Sequence, residues 1–184
     1  MQENNDWRKK QIMERKYKLL TEDTIIVDGR TLYRIEAVRD FGDVKKGDKG
    51  GYIEKEENLS HKGDCWIYEL ARVYGNAEIY DDASVCGEAQ VYGRAWVYDN
   101  ALVVGNAKVY GDAQIYGRAR VYDYAKIYGN AMIYGSAQVY GYAIVYGDAE
   151  VYEVARVYGV ALVYGNAEVC ESEQVTNGVY SGGE

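Results

Sequence analysis

Histidine is the side chain that most often serves as a general base near neutral pH, and this chain has one, His61. It precedes the regular part of the sequence, and nothing near it in the sequence indicates a pocket. The glycines of the charged segment at 39–53 do not have the spacing of a phosphate-binding loop. The three cysteines have no metal-ligand spacing. We therefore predict no catalytic residue, no metal site and no cofactor.

Tyrosine carries the other recognisable chemistry, with 21 tyrosines in the chain. Aromatic rings beside basic side chains can bind sugars, nucleotides or an acidic protein surface through stacking and cation–π contacts. Whether they do so depends on the elements that hold them. Most of these tyrosines belong to a six-residue repeat, in which every block from Ala71 to Ala161 starts with Ala and has Val or Ile two residues later.

Each block has the pattern of a short strand followed by a turn. In the sequence Ala-x-Val-Tyr, Ala and Val share one face of a four-residue strand, while x and Tyr share the other. The Gly-Asn, Asp-Asn or Gly-Asp pair that follows is typical of a turn, because Gly and Asn tolerate a positive φ. The period excludes an α-helix and predicts a solenoid that buries its Val and Ala columns.

The blocks resemble the hexapeptide repeat of left-handed parallel β-helices, in which an aliphatic residue is followed four positions later by a small one. Val73 and Ala77 fit this pattern, as do Ile79 and Ala83. The resemblance implies an all-β, left-handed, triangular coil with three blocks in each turn, and therefore about six coils. Trimers are usual among the β-helices that these blocks resemble, so the resemblance also implies a trimer.

With three blocks to a turn, every eighteenth residue stacks on the same wall. One wall then carries an outward ladder of tyrosines with a basic column beside it, and we interpret this strip as a candidate binding face. Its residues are Tyr74, Tyr92, Tyr110, Tyr128, Arg72, Lys108 and Lys126. The alternative is that tyrosines stacked at the coil spacing only stabilise the parallel strands.

Apolar residues also replace polar ones on the outside of the later coils. Such a patch should be covered, most simply by another copy in a dimer or trimer, and otherwise by a partner protein. The predicted interface consists of Leu102, Val104, Tyr124, Tyr142, Ile144, Val160 and Leu162.

The first sixty residues have a different character. Asp6 can cap a helix through Trp7–Tyr17, and Asp28-Gly29 predicts a β-hairpin over Thr24–Ile35. We therefore predict a small α+β cap at 1–60 that covers the open strand edges of a β-helix at 61–175. The residues at 176–184 are predicted to be a flexible tail.

This opening segment carries a second resemblance. Arg39–Val44, Gly50–Ile53 and Asn58–Ser60, followed by Cys65–Tyr68, are similar to the opening of YdcK-like hexapeptide-repeat proteins, which are common in enterobacteria and in prophages of gut bacteria. Members of this family are often called transferases by analogy of fold, which does not supply a reaction.

Composition narrows the function classes further. The net charge of −8 disfavours general binding to nucleic acid or to anionic membranes. No stretch of the sequence is apolar enough to span a membrane. We therefore predict a cytoplasmic protein. We expect a non-enzymatic scaffold of phage or prophage type that binds itself, a host protein or a small ligand, and that could inhibit host defence. The alternative is an acyltransferase relative with His61 as its base.

Overall fold

The computed structural model describes residues 15–182 as a stack of short strands in three sheets. Consecutive strands of the repeat belong to different sheets, and each strand pairs in parallel with the strand one turn later. Leu102, for example, lies beside Arg120, eighteen residues further along the chain. Three blocks therefore form one turn, and the predicted all-β parallel solenoid is confirmed. Its left-handed sense rests on the resemblance and stays a prediction.

The sheets form three walls, with strands numbered along the chain. Wall 1 contains β1 (Tyr17–Val27), β2 (Arg30–Ala37), β3 (Lys49–Ile53), β5 (Arg72–Val73), β8 (Gln90–Val91), β11 (Lys108–Val109), β14 (Lys126–Ile127), β17 (Ile144–Val145), β20 (Leu162–Tyr164) and β23 (Val179–Ser181). Wall 2 contains β4 (Trp66–Ile67), β7 (Ser84–Val85), β10 (Leu102–Val103), β13 (Arg120–Val121), β16 (Gln138–Val139), β19 (Arg156–Val157) and β22 (Gln174–Val175). Wall 3 contains β6 (Glu78–Ile79), β9 (Trp96–Val97), β12 (Gln114–Ile115), β15 (Met132–Ile133), β18 (Glu150–Val151) and β21 (Glu168–Val169). A 3₁₀ turn at Glu56–Asn58 precedes the repeat.

The interior is lined by the two residues of each block that the alternation predicts. The Ala and Val or Ile columns are buried along the whole repeat, while the x and Tyr columns face outward. The paired strands are two residues long instead of four, but the backbone hydrogen bonds reach further. The N–H of Tyr74, for example, donates to the carbonyl of Val91. Burial of this aliphatic column is the main favourable term for folding.

The turns between walls depend on a left-handed backbone conformation at their first residue. Glycine occupies this position in most turns, as Gly93 does with φ of +76°. A Cβ atom on Gly93 would lie 2.8 Å from the backbone nitrogen of Gly111 in the next coil. Asp99 adopts the same conformation without glycine, at φ of +56°. The turn chemistry thus sets how closely successive coils approach.

The solenoid is one turn longer than the sequence predicts, since seven strands stack on wall 2. The difference arises because β4 precedes the first full block and β22 follows the last one. In addition, β3 already pairs in parallel with β5, so parallel pairing begins within the segment that we predicted as a cap. The division at residues 60 and 61 stays a prediction.

The N-terminal segment extends wall 1 with an antiparallel hairpin. β1 and β2 pair with Val27 opposite Arg30, so Asp28 and Gly29 form the two-residue turn that their sequence predicts. β2 then pairs antiparallel with β3. The helix predicted at 7–17 lies outside the described residues, apart from its last positions, where Tyr17 begins β1 instead. The α+β character of the cap is therefore not confirmed.

The C-terminal segment adds one more strand to wall 1. Gly178, with φ of +87°, turns the chain back to wall 1, where Val179–Ser181 pairs in parallel with β20 as β23. The edge of β20 offers backbone groups for one more strand. The flexible tail at 176–184 stays a prediction. Within 15–182, no helix has the length and apolar character needed to cross a membrane.

Candidate functional site

The tyrosine ladder predicted on wall 1 is present. Six rings from Tyr74 to Tyr164 stack in parallel, with centroids 4.9–5.2 Å apart. A second ladder of five rings runs along wall 3 from Tyr80 to Tyr152. Because most of these rings are half-buried against their neighbours, their faces are already occupied by one another. The stacked rings therefore stabilise the packing between coils, which is the alternative to a binding role that the sequence left open.

Tyr74, the first ring of the predicted binding strip, is largely covered by the hairpin. Only 4% of its surface is exposed, because Leu32 of the hairpin packs with Tyr52 and Tyr74 in one buried cluster. Burial, with the Asp28 carboxylate nearby, raises the pKa of Tyr74 to about 12. β1 and β2 thus cover the start of the ladder. The binding role of this ring stays a prediction.

The basic column of wall 1 divides into two parts. Arg72 lies beside Tyr52 of β3, and its buried Nε atom has no hydrogen-bond partner among residues 15–182. Lys108 and Lys126 lie in register on adjacent coils, so their side chains start only about 4.8 Å apart. Neither lysine forms an ion pair within the described part of the chain. The later half of this column thus holds two like charges on adjacent coils.

A line of exposed apolar side chains follows the corner between walls 2 and 1. Tyr124, Tyr142 and Val160 are 50%, 63% and 64% exposed, at turn positions where most blocks have a polar residue. The rings of Tyr124 and Tyr142 stack with centroids 5.1 Å apart. We call these three residues the apolar edge. Exposed apolar surface of this kind marks an interaction site in many proteins.

The two tyrosines of the apolar edge and the two lysines meet in one groove of about 520 Å³. Its basic and apolar lining combines residues that we predicted as separate sites, namely a binding strip and an interface. The groove is lined by Glu88, Gln90, Asn106, Lys108, Tyr124, Lys126, Tyr142 and Ile144. Its volume is in the range of small-molecule and peptide-anchoring sites.

Other predicted site residues lie outside this groove. Tyr92, Tyr110 and Tyr128 remain in the ladder of wall 1. Leu162 follows Ile144 in the outward column of wall 1 and extends the apolar surface beyond the groove.

Two residues of the predicted interface lie on a different wall. Leu102 and Val104 are half-buried on wall 2 and do not line the groove. The structure therefore brings together only part of the predicted interface.

His61 lies at the N-terminal end of the solenoid, far along the chain from the groove. Its ring stacks on Tyr17 at 4.3 Å, and its Nδ1 accepts a hydrogen bond from the backbone N–H of Lys16 at 3.3 Å. Burial lowers the pKa of His61. Its Nε2 has no partner among the described residues, and the ring borders a hollow that also contains Glu57 and Tyr80.

Lys16 is a fully buried charge beside this histidine. Its Nζ donates to the carbonyl of Cys65 at 2.7 Å and to that of Gly63 at 3.3 Å, and it contacts the Cys65 Sγ at 3.1 Å. The ammonium group therefore satisfies carbonyls at the open end of the first coil. Burial lowers the pKa of Lys16 and raises that of Cys65.

The sequence analysis did not predict some of the residues that line the groove. Glu88 and Asn106 precede Tyr124 by thirty-six and eighteen residues, so the repeat spacing would have placed them on the same corner. Lys16 had no such signal, because it belongs to no repeat and its partners are backbone carbonyls. The spacing rule therefore predicts neighbours only within the solenoid.

These features define a class of protein: a three-walled parallel β-solenoid with outward tyrosine ladders and one apolar, basic groove. The comparison with known families agrees, because a model described as "YdcK Beta solenoid repeat" matches residues 113–126 and 125–141. The predicted resemblance to YdcK-like solenoid proteins is therefore confirmed.

A curated relative gives the same association. Over 57 residues the chain is 40% identical to a protein of Escherichia coli strain K12 named "Uncharacterized acetyltransferase YdcK". The match covers 30% of this chain and 18% of that relative, so the chain spans less than a fifth of the relative's length in the match. The activity in the relative's name belongs to that protein.

Proposed function

We propose that this chain is a non-catalytic binding scaffold that engages another macromolecule through the groove and apolar edge of wall 1. The observation that carries the proposal is the run of Tyr124, Tyr142 and Val160, each at least half exposed on the corner between walls 2 and 1. An isolated exposed apolar residue is ordinary, whereas three in successive coils form a surface.

The two lysines favour an acidic partner. Lys108 and Lys126 are adjacent like charges without an ion-pair partner in the described chain, although the chain as a whole carries −8. A carboxylate or phosphate placed between them would relieve their mutual repulsion. Acidic groups beside apolar side chains on the partner would match this surface in both charge and polarity.

A protein partner suits the surface better than a small ligand. Leu162 continues the apolar column from Ile144 beyond the groove, so the surface extends past the volume that one small molecule would fill. Tyrosine is also enriched in protein interfaces. We therefore propose a partner protein with an acidic, partly apolar surface.

The proposal can be tested with a photo-crosslinking amino acid at position 142 in cells that express the full chain. We expect a discrete adduct with a second protein, weakened by the double substitution Lys108→Glu and Lys126→Glu. The matched control is the same crosslinker at Val154, which is 58% exposed on the corner between walls 3 and 2. An adduct pattern that is the same at 142 and 154 would refute the proposal.

A self-adduct would give a different result. A crosslinked species of two copies at position 142 would assign the surface to a dimer or trimer and overturn the partner proposal. Light scattering on the variant Tyr142→Asp/Leu162→Asp would then show a smaller particle than the wild type. The phage or prophage origin and the inhibition of host defence rest on the resemblance alone and remain proposals.

Acetyl transfer is the second candidate, and two observations favour it. The matched relative carries that name, and His61 has an unpartnered Nε2 at the edge of a hollow of about 520 Å³. Its test is calorimetric titration of the full chain with acetyl-CoA. Binding that is lost in His61→Ala but retained in a Ser60→Ala control would support acetyl transfer over the scaffold.

A further inference from the structure

Trp96 is an exposed aromatic side chain on a wall that the proposed function does not use. It lies in β9 on wall 3 and is 43% exposed. Its column neighbours in the preceding and following coils are Glu78 and Gln114, both in register with it. A large apolar ring thus replaces a polar side chain at one position of an outward column.

The ring of Trp96 is free of the contacts that the other aromatic residues make. Among residues 15–182 it has no stacked or edge-on aromatic partner and no cation over its face. Trp66, by contrast, is buried and contacts Tyr17 and Phe41 edge-on. Trp96 therefore gains little from packing within the solenoid, and its face remains open to a ligand.

Hydrogen-bonding groups surround this ring in a hollow of about 280 Å³. The Arg94 guanidinium forms two contacts with Asp112, at 2.7 and 2.9 Å, which fix both groups beside the ring. The Oδ1 of Asn76 accepts a hydrogen bond from Lys55 at 2.8 Å, which leaves its amide N–H groups to donate elsewhere. Carboxylate, amide and guanidinium groups thus stand around one aromatic face.

We infer that this hollow is a binding site for a neutral saccharide. The apolar C–H face of a sugar ring can pack on the indole, since Trp offers a large flat apolar surface. Each sugar hydroxyl both donates and accepts, and so pairs with the carboxylates and amides around the ring. The volume is near the lower end for small-molecule sites and suits one or two sugar rings.

The charges of the hollow favour a neutral ligand over a nucleotide or a quaternary ammonium. Arg94 and Asp112 neutralise each other, and Glu78 leaves one negative charge that would repel phosphate. A cation would be attracted by Glu78, but aromatic cages for quaternary ammonium groups use several rings, and Trp96 is the one ring that lines this hollow in the described chain.

The inference can be tested by NMR of the full chain labelled with ¹⁵N-tryptophan. Maltotriose, chitotriose and galactose are titrated separately, and the indole N–H signal of Trp96 is assigned by its loss in Trp96→Phe. We expect a saturable shift of this signal with at least one of these sugars, and no shift of the buried Trp66 signal. No saturable shift with any of the three sugars would overturn the inference.

Matched variants distinguish a built site from loose contact with an exposed ring. Gln114→Ala should weaken binding about tenfold, equivalent to about 1.4 kcal/mol. Met132→Ala, one coil beyond Gln114 in the same column and outside the hollow, should leave it unchanged. Equal affinity in Gln114→Ala and wild type would contradict the site, as would a larger shift with ADP than with any sugar.

Discussion

The outward apolar surface of wall 1 is covered at the N-terminal end and exposed at the C-terminal end. At the N-terminal end, the hairpin of β1 and β2 covers the ladder, so that Leu32 is fully buried and Tyr74 is 4% exposed. At the C-terminal end, Tyr142 and Val160 are 63% and 64% exposed. The same repeat chemistry therefore serves as an internal packing surface at one end and as an open surface at the other.

This difference shows what a solenoid can and cannot supply by itself. The repeat buries only its inner column, so any outward apolar group must be covered by another element or remain in contact with water. The chain supplies such an element at the N-terminal end. The covered end therefore shows how much a cover over this surface contributes to stability.

The largest expected effect on the free energy of unfolding comes from weakening the contact between the hairpin and the ladder. Leu32→Ala should lower the free energy of unfolding by about 2–5 kcal/mol, because it leaves a cavity between the hairpin and Tyr52. Leu162→Ala, at a half-buried position of the same wall, should cost less than about 1 kcal/mol. Urea unfolding followed by circular dichroism would measure both, and equal losses would contradict the comparison.

The next effect concerns the buried charge at the covered end. Lys16→Ala removes the donor to the carbonyls of Gly63 and Cys65, and should cost about 1–3 kcal/mol because those carbonyls lose their partner. The control is Lys18→Ala. That lysine forms an exposed ion pair with Glu36 at 2.7 Å, so its removal should cost less than about 1 kcal/mol. Thermal unfolding of both variants would show whether the two losses differ in this direction.

Much of the open end could be predicted from the sequence, because the period of six fixes both burial and neighbours. Once three blocks make a turn, Lys108 must adjoin Lys126, and Tyr124 must adjoin Tyr142. The same rule places residues from two different predicted sites around one groove. The sequence interpretation missed this convergence because it treated each outward column separately.

The covered end could not be predicted to the same depth. The Asp28-Gly29 turn gives the hairpin, but no local pattern indicates that Leu32 would cover Tyr74. The contacts of Lys16 join positions almost fifty residues apart. Such contacts depend on tertiary packing, which has no periodic signal in the sequence.

A third prediction compares an internal ring of the ladder with one at the apolar edge. Tyr110 stacks on Tyr92 and Tyr128, both at 4.9 Å, whereas Tyr142 stacks on Tyr124 alone among residues 15–182. Since each aromatic pair contributes about 0.5–1.5 kcal/mol beyond burial, Tyr110→Ala should destabilise the fold by about twice as much as Tyr142→Ala. Chemical unfolding of both variants measures the ratio, and a larger loss at 142 would argue against an interaction role for the edge.

The smallest effect is a pH dependence confined to the covered end. Burial lowers the pKa of His61 below its ordinary value of 6.5, against the attraction of Glu56 and with the help of the nearby cations Arg15, Lys16 and Arg39. Below pH 6.5 the unfolded chain therefore binds a proton that the folded chain does not yet bind. The free energy of unfolding must then fall as the pH is lowered through 6.5 toward the lowered pKa of the folded state.

The comparison of wild type with His61→Gln isolates this contribution, because both chains share every carboxylate. We expect the two stability curves to run parallel above pH 7 and the wild type to lose stability more steeply between pH 7 and 5, as measured by urea unfolding at each pH. Curves that stay parallel throughout would mean that water reaches the imidazole freely. The hairpin end would then be less well covered than the contact with Tyr17 implies, and the contrast between the two ends of wall 1 would weaken.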